Sequence, residues 1–281
     1  MTDPCLLPAT VLTAKLRDRA IGARELLDAH IARYQRFNPA VNAVIWTDLE
    51  GARARADQAD AALARGEVWG PLHGLPMTIK ESFDIEGAPT TWGIGEMRHN
   101  TGKSNAVATQ RLLDAGAIIY GKSNVPLLLS DWQSFNVIYG TTNNPWDLTK
   151  TPGGSSGGSS AALATGMAAL ELGSDIGASI RNPAHYCGVF GHKPTHNIVP
   201  TRGQSVSGTV SIPDISVAGP LARAAEDLAL GLSVMAGPDE IEAPGLRLDL
   251  PPPKHRRLKD FRVAVLVEDP NSAVDREYQA K

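Results

Sequence analysis

The sequence predicts an α/β fold, in which a mixed, largely parallel sheet is covered by helices on both faces. Short apolar runs typical of buried strands, such as 75–79 and 117–120, alternate with segments that carry apolar residues at helical spacing, such as 50–65 and 105–115. Strands that are buried on both faces need helices on either side of the sheet. With 281 residues, 42% of them hydrophobic, the chain can fill a sizeable core.

The elements can be predicted in chain order from periodicity and from their stop signals. The pair Asn38-Pro39 is expected to end the first helical region, and Gly66 the next helix. In order, we expect two helices within 11–37, further helices at 50–65, 105–115, 161–164 and 224–235, and strands at 41–47, 75–79, 117–120, 168–172, 189–191 and 261–267.

Composition divides the chain into four expected segments. Four prolines between residues 244 and 254 predict an extended connector, because proline restricts the backbone and cannot donate to a sheet. We therefore expect an N-terminal helical segment at 1–70, a core at 71–243, a proline-rich connector at 244–260 and the start of a C-terminal part at 261–281.

Net charge indicates which kind of partner to expect, and cysteine content indicates the compartment. The net charge is only −3 with both signs interspersed, which disfavours nucleic acid and anionic membranes and favours a small neutral ligand. No signal-like N-terminus or 18-residue apolar run occurs in the sequence. The two cysteines, Cys5 and Cys187, are too few for a disulfide framework, so we expect a cytoplasmic protein.

The segment 151–160 is unusually rich in glycine and serine. It could be a flexible linker, but a small-residue helix and an apolar strand follow at once, which favours a loop inside a packed unit. A phosphate-binding loop would need a lysine beside the glycines, and Ser-Ser-Ala stands there instead. The remaining interpretation is a loop whose N–H groups and hydroxyls face a ligand.

A second turn, at 172–183, joins a predicted strand to a short helix and contains Ser179. A serine in such a turn presents its hydroxyl beside free backbone donors, as acyl transfer requires. By itself the pattern is weak, because many glycine-rich turns contain a serine. A third feature is Lys80, which directly follows the apolar strand at 75–79 and so stands where loops expose functional groups.

Together these segments resemble the amidase signature family. The resemblance is carried, in the family's order, by GLPMTIKE (74–81), TPGGSSGGS (151–159), GSDIGASIRNP (173–183) and CGVFGHKPT (187–195). It implies an α/β/α fold and a triad of a nucleophilic serine, a second serine after a cis peptide bond, and a lysine. On the matching positions these are Ser179, Ser155 and Lys80, with the adjacent Ser156 as the nearest competitor for the relay.

The resemblance implies hydrolysis of a carboxylic acid amide through a seryl acyl-enzyme. A neutral Lys80 amine would accept a proton from Ser155, which would accept one from the attacking Ser179 and return it to the leaving amine. A buried lysine can act in this way because burial lowers its pKa towards neutrality. No cofactor or metal is implied. The partner expected is a small-molecule amide, and a homo-oligomer is left open.

Neighbouring residues are assigned supporting roles. The backbone N–H groups of Ile176, Gly177 and Ala178, with that of Ser179, are expected to bind the oxyanion. A charge-assisted hydrogen bond between Asp175 and Arg181 would hold the turn in shape. From the resemblance, Leu129 and Asp131 are expected to line the pocket for the acyl group.

Two departures from the family pattern stand out. Ala178 occupies a position where the family usually has glycine, and a left-handed backbone there would be strained by the Cβ. The family's chains are also considerably longer, so we expect the C-terminal part of the fold to be absent.

These departures leave alternatives to an active amidase. One is a truncated, catalytically impaired protein with a binding or assembly role, and another is a glutaminase-type subunit supplying ammonia to aminoacyl-tRNA. Cys187 with His185, His192 and His196 could also form a nucleophile pair or a metal site. The apolar neighbours of Cys187 favour a buried, inert thiol instead.

Overall fold

The computed structural model describes residues 3–206, 209, 213–255, 257–266, 269–271, 273 and 275–280. The chain divides into two compact units, Met1–Leu248 and Asp249–Lys281. The α-helices are α1 (Ala9–Arg17), α2 (Ala23–Val41), α3 (Leu49–Ala64), α4 (Val107–Asp114), α5 (Gly157–Ala164), α6 (Arg181–Cys187), α7 (Ala225–Met235) and α8 (Arg276–Gln279). The strands are β1 (Val44–Thr47), β2 (Pro76–Lys80), β3 (Ile118–Ser123), β4 (Phe135–Asn136), β5 (Gly140–Thr141), β6 (Leu170–Asp175), β7 (Phe190–Gly191) and β8 (Val217–Ala222).

The first unit is built on a mixed six-stranded sheet in the order β1-β3-β2-β6-β8-β7. Its central strands β3, β2 and β6 run parallel, whereas β1, β8 and β7 pair antiparallel with their neighbours. The strands β4 and β5 form a separate hairpin. The mixed sheet that the sequence predicted is therefore confirmed, with parallel pairing confined to its centre. None of the described helices is long and apolar enough to cross a membrane.

The alternation of side chains along the strands separates a core face from a functional face. On β2, Met77 and Ile79 join the larger hydrophobic cluster with residues of α1 to α4. Thr78 and Lys80 point to the other side, because successive side chains of a strand face opposite ways. There α5 and α6 pack with a second cluster that includes Leu163. The sequence Met-Thr-Ile-Lys thus buries two apolar side chains and directs two polar ones towards the serine-containing segments.

The predicted elements were largely found, with shifted boundaries. Helix α2 continues through Pro39 to Val41 and ends at Asn42, which takes a left-handed conformation with φ 52°. The expected stop at Asn38-Pro39 was therefore wrong, since a proline in the last turn need not end the helix at once. Helix α5 begins at Gly157, inside the glycine-serine segment, rather than at residue 161.

Two elements differed from expectation more substantially. Strand β8 was not predicted, because its Gly219-Pro220 pair looks like a turn, yet it lies between β6 and β7. The strand expected at 261–267 was wrong for residues 261–266, which form no strand, and residue 267 lies outside the described residues. The second unit contains a short 3-10 helix at Leu258–Asp260 and α8.

The buried carboxylate of Asp227 links the start of α7 to the start of α1. It lies in the first turn of α7 and accepts hydrogen bonds from the backbone N–H groups of Ala9 and Thr10, each at 2.8 Å, and from the Thr10 hydroxyl at 2.9 Å. Pro8, at the N-cap of α1, supplies no side-chain cap. Asp227 thus satisfies the free N–H groups that begin α1.

We predict that Asp227→Ala lowers the free energy of unfolding by about 2–4 kcal/mol, because one buried and two partly buried donors lose their acceptor. Denaturant unfolding measures this difference. The matched control is Glu226→Ala at the adjacent exposed position, which should change stability by less than about 0.5 kcal/mol. Equal losses in both variants would contradict the capping role.

Candidate active site

The side chain of Lys80 is a fully buried polar group on the functional face. It lies at the end of β2 and is excluded from solvent. Its Nζ donates to Ser155 Oγ at 2.7 Å, to Ser174 Oγ at 3.0 Å and to the Ser174 carbonyl at 3.5 Å. The contacts within hydrogen-bonding distance are therefore uncharged oxygen atoms, and no carboxylate forms an ion pair with this amine among the described residues.

Burial lowers the pKa of Lys80 to about 7, because the charged ammonium loses its hydration. The negative charges of Asp175 and Glu171 act in the opposite direction and raise the pKa of Lys80. The net effect leaves a substantial fraction of this amine neutral near pH 7. A neutral amine in hydrogen-bonding contact with a serine hydroxyl can accept that hydroxyl's proton.

The glycine-serine segment supplies the hydroxyl that Lys80 contacts. Ser155 follows a cis peptide bond from Gly154, and its side chain is buried beside Lys80. The adjacent Ser156 instead donates to the Ser174 carbonyl at 3.3 Å. Of the two serines, Ser155 is thus the one that contacts the amine.

Ser179 lies in the turn between β6 and α6, and its carbonyl accepts a hydrogen bond from the Ser156 N–H at 3.1 Å. This contact joins the two serine-containing segments directly. Ser155 and Ser179 both line one cavity. Their hydroxyls are not hydrogen-bonded to each other in the described contacts.

The carboxylate of Asp175 organises this turn. It accepts hydrogen bonds from the backbone N–H groups of Ala178 at 3.0 Å, Ile180 at 2.9 Å and Arg181 at 3.3 Å. The guanidinium of Arg181 adds two more, at 3.1 Å and 2.9 Å. The Asp175–Arg181 contact expected from the sequence is therefore present.

The hydrogen bonds to Asp175 decide its charge. Burial by itself would raise the pKa of this carboxyl, but donation from Arg181 and from the backbone N–H groups of Ile180 and Arg181 outweighs burial. The pKa of Asp175 is accordingly lowered below its ordinary value. The carboxylate remains ionised at neutral pH and holds the turn as an acceptor.

One expected oxyanion donor was assigned wrongly. The N–H of Ala178 is engaged by Asp175 at 3.0 Å, so it is not free to bind a substrate oxygen. The described hydrogen bonds include none from the backbone N–H groups of Ile176, Gly177 or Ser179. These three remain as candidate donors at the cavity.

A cavity of about 670 Å³ opens over these residues. Leu129 and Asp131, which the sequence singled out, both line it. Its wall is mostly apolar, and its lining residues are Trp92, Leu128, Leu129, Ser130, Asp131, Trp132, Ser155, Ser174, Ile176, Gly177, Ser179, Gln204, Pro213 and Ser216. The serines of the two segments therefore face a space large enough for a small organic ligand.

Several of these residues were missed by sequence reasoning. Ser174 shares the Lys80 ammonium with Ser155, and Trp132 donates its indole N–H to the Gly177 carbonyl at 2.9 Å. Trp92 forms part of the apolar wall. Ser174 stands inside the motif at 173–183 and could have been suspected, whereas the tryptophans come from loops whose approach no local pattern signals.

The cysteine alternative is not supported by the geometry. Cys187 ends α6 with its thiol buried, 3.5 Å from the Pro152 carbonyl. Burial raises the pKa of Cys187 to about 12, which disfavours the reactive thiolate. The side chain therefore behaves as a small apolar group in the second cluster.

Comparison with known proteins agrees with this geometry. The sequence profile of the amidase family matches residues 25–281. The chain belongs to the amidase family. The resemblance stated from the four motifs is thereby confirmed.

Amidase-family relatives cover nearly all of this chain but are themselves longer. A glutamyl-tRNA(Gln) amidotransferase subunit of Synechococcus sp. (strain CC9902) is 38% identical over 257 residues, which are 90% of this chain and 52% of the relative. An acylamidase of Rhodococcus erythropolis is 39% identical over 236 residues, covering 84% and 49%. The chain thus spans about half the length of the curated relatives it matches.

Solved amidase structures share the fold. A bacterial aryl acylamidase of the amidase signature enzymes superposes with a TM-score of 0.80 at 28% identity, covering 87% of this chain and 50% of that one. A fatty acid amide hydrolase gives a TM-score of 0.77 at 32% identity, covering 81% and 40%. The described sheet and helices are therefore part of the amidase signature fold.

The left-handed backbone at Ala178, with φ 77°, generates a stability prediction. We expect Ala178→Gly to raise the free energy of unfolding by about 1 kcal/mol, because glycine adopts this conformation without a Cβ clash. The melting temperature, measured by calorimetry, should rise by about 2–4 °C.

Gly177→Ala is the matched control. A Cβ at Gly177 would meet no atom within 4 Å, and its φ lies outside the left-handed region. This variant should change stability by less than about 0.5 kcal/mol. An unchanged melting temperature in Ala178→Gly would mean that the strain relieved does not exceed the extra backbone entropy that glycine loses on folding, contrary to this prediction.

Proposed function

We propose that this protein is an amide hydrolase that works through a seryl acyl-enzyme. The observation that carries the proposal is the 2.7 Å contact between the buried Lys80 amine and Ser155 Oγ, on the wall of the cavity that Ser179 also lines. In this assignment Ser179 is the nucleophile, Ser155 the proton relay and Lys80 the base.

The proton would travel in two steps along these groups. Neutral Lys80 accepts the proton of Ser155 while Ser155 accepts that of Ser179, whose oxygen forms a bond to the amide carbon. The relay then returns a proton to the amine as the C–N bond breaks, and water releases the acid from the acyl-enzyme. Because the two serine hydroxyls are not in contact without substrate, the relay requires substrate binding to bring them together, as is common in free enzymes.

The oxyanion would be bound by backbone donors of the nucleophile turn. The N–H groups of Ile176, Gly177 and Ser179 are the candidates, since Asp175 occupies that of Ala178. Loss of one such donor typically slows acyl transfer by about 100- to 1,000-fold. The rigid hold of Asp175 on the turn keeps these donors in place as charge develops.

The cavity favours an amide with an apolar acyl or aryl group. Its lining surface is mostly apolar and includes two tryptophans and two leucines. Its charged lining residue is Asp131, with no cationic side chain among the described lining residues. A ligand with a carboxylate would lack a counter-charge there. The acylamidase relative, whose name denotes action on acylamides, is consistent with this class of substrate.

A second candidate is a component of a glutamyl-tRNA(Gln) amidotransferase. It is favoured by the 38% identity to the amidotransferase subunit from Synechococcus sp. (strain CC9902). Such a protein would act together with partner proteins. A substrate panel that includes glutamine beside aliphatic and aryl amides, with ammonia detection, separates the two candidates, because only the second predicts glutamine as the preferred amide.

Labelling with a fluorophosphonate tests the nucleophile. We predict that the folded protein gains the mass of one phosphonyl group at Ser179, and that Ser179→Ala gains none. Ser155→Ala should lower labelling and turnover by at least about 1,000-fold, because the relay is removed. The adjacent Ser156→Ala is the matched control and should retain most activity, since Ser156 does not contact Lys80. A folded wild-type protein that does not react would overturn the proposal.

The pKa of Lys80 sets the expected pH dependence. The neutral amine is the base, so kcat/KM should rise with pH, with an inflection near the Lys80 pKa of about 7. Below the inflection the rate should fall about tenfold per pH unit, because the neutral fraction does so. Initial rates with a neutral anilide measure this limb. A flat profile from about pH 6 to about pH 8 would be inconsistent with Lys80 as the base.

A further inference from the structure

The residue that follows Lys80 is a buried acid that the proposed chemistry does not use. The carboxylate of Glu81 is fully excluded from solvent. It accepts hydrogen bonds from the Thr91 N–H, from the Thr91 hydroxyl at 2.7 Å and from the Trp92 N–H at 3.1 Å. Glu81 therefore ties the end of β2 to the loop around Thr91 and Trp92, which lies outside the sheet.

That loop takes an unfavourable backbone conformation. Trp92 has φ 55° and Gly93 has φ 67°, so a bulky residue stands in the left-handed region. Such a conformation persists only where surrounding contacts impose it. The buried indole N–H of Trp92 has no hydrogen-bond partner among the described residues, so the backbone, and not a bond of its own, sets the position of the ring.

The same loop contacts a second segment of the cavity wall. The Trp92 carbonyl accepts a hydrogen bond from the Leu128 N–H at 2.8 Å. Leu128 and Leu129 are themselves left-handed, with φ 54° and 58°. Trp92, Leu128 and Leu129 all line the cavity that contains Ser155 and Ser179. Three apolar wall residues thus depend on one turn.

A second buried charge holds the loop from the neighbouring strand. Lys122 of β3 is also fully buried, and its ammonium donates to the Pro89 carbonyl and to the Thr90 hydroxyl, the latter at 3.0 Å. Burial lowers the pKa of Lys122 to about 8, while the charges of Glu81 and Asp84 raise it. The acid and the amine therefore bind successive residues of the loop, and the charge of Glu81 opposes the effect of burial on Lys122.

We propose that Glu81 is a positioning residue that holds Trp92 and Leu128 in the wall of the cavity lined by Ser155 and Ser179, and thereby selects amides with a large apolar acyl group. This inference rests on the proposed amide hydrolysis. Because this wall and Ser179 line one cavity of about 670 Å³, we expect a long acyl chain to contact the wall and a two-carbon acyl group to contact it less.

The test compares Glu81→Gln with the parent on acetamide and hexanamide. The carboxamide keeps the size of the side chain but places an NH₂ against one backbone donor, so the turn relaxes. We expect KM for hexanamide to rise about tenfold, with kcat changed less than about threefold, acetamide kinetics nearly unchanged and the inflection near pH 7 retained. Glu86→Gln, the same change at an exposed position, should match the parent throughout.

Thr91→Val provides a milder variant in case Glu81→Gln does not fold. It removes the hydroxyl that donates to Glu81 and accepts from the Gly93 N–H at 3.2 Å, while both backbone donors to Glu81 remain, and should shift hexanamide KM in the same direction by a smaller factor. An equal loss of kcat on both amides, or a displaced pH inflection with unchanged KM, would overturn the positioning role.

Binding to Ser179→Ala separates this inference from the proposed chemistry, because it needs no turnover. Calorimetric titration with hexanamide should give a Kd about tenfold weaker when Glu81→Gln is added to Ser179→Ala, and no change when Glu86→Gln is added. If the wild-type protein is inactive but this difference in Kd is found, the proposed hydrolysis is wrong and the positioning role of Glu81 is supported. Equal affinity in all three proteins, or no binding in any of them, would contradict the positioning role of Glu81.

Discussion

The burial of one lysine amine is the constraint on which the site depends. Lys80 has lost its water, and the groups in hydrogen-bonding contact with it are the Ser155 hydroxyl and the hydroxyl and carbonyl of Ser174. Because desolvation lowers its pKa further than the charges of Asp175 and Glu171 raise it, the value lies near neutrality. A carboxylate moved into direct contact would restore the charged form of Lys80 and remove the proposed base.

The two acids near Lys80 have different hydrogen-bond partners, and their pKa values are shifted in opposite directions. Arg181 and the backbone N–H groups of the turn that contains Ser179 keep Asp175 ionised. The same hydrogen bonds hold that turn in shape. Glu171 has hydroxyl partners instead, including Thr78 and Ser123, and burial raises its pKa to about 8. One acid thus organises the turn by its charge, while burial disfavours ionisation of the other, and each carboxylate charge raises the pKa of Lys80 against the effect of burial.

These contacts also join the elements that carry the proposed triad residues. Glu171 on β6 binds Thr78 on β2 and lies beside Ser123 on β3, and the Ser123 hydroxyl bonds with that of Ser159 on α5 at 2.9 Å. The strand that ends in Lys80 and the helix that follows Ser155 are therefore connected beneath the cavity. Glu81, next to the end of β2, and Lys122, near the end of β3, both bind the loop that forms part of the cavity wall. The proposed base and this wall are therefore supported by the same two strands.

The sequence by itself determined the α/β class and most of the strands and helices, because periodicity and turn signals act locally. The resemblance to the amidase signature family, and not local pattern, singled out Lys80, Ser155 and Ser179 as the proposed triad. The tertiary structure alone decided which groups meet. The N–H of Ala178, which the sequence suggested as a free donor, is hydrogen-bonded to Asp175. The Gly219-Pro220 pair, which is typical of a turn, lies in a strand inside the sheet. The hydrogen bond from the Trp92 N–H to Glu81 was likewise not predictable from local sequence pattern. Such contacts depend on how distant segments pack, and no short-range spacing encodes them.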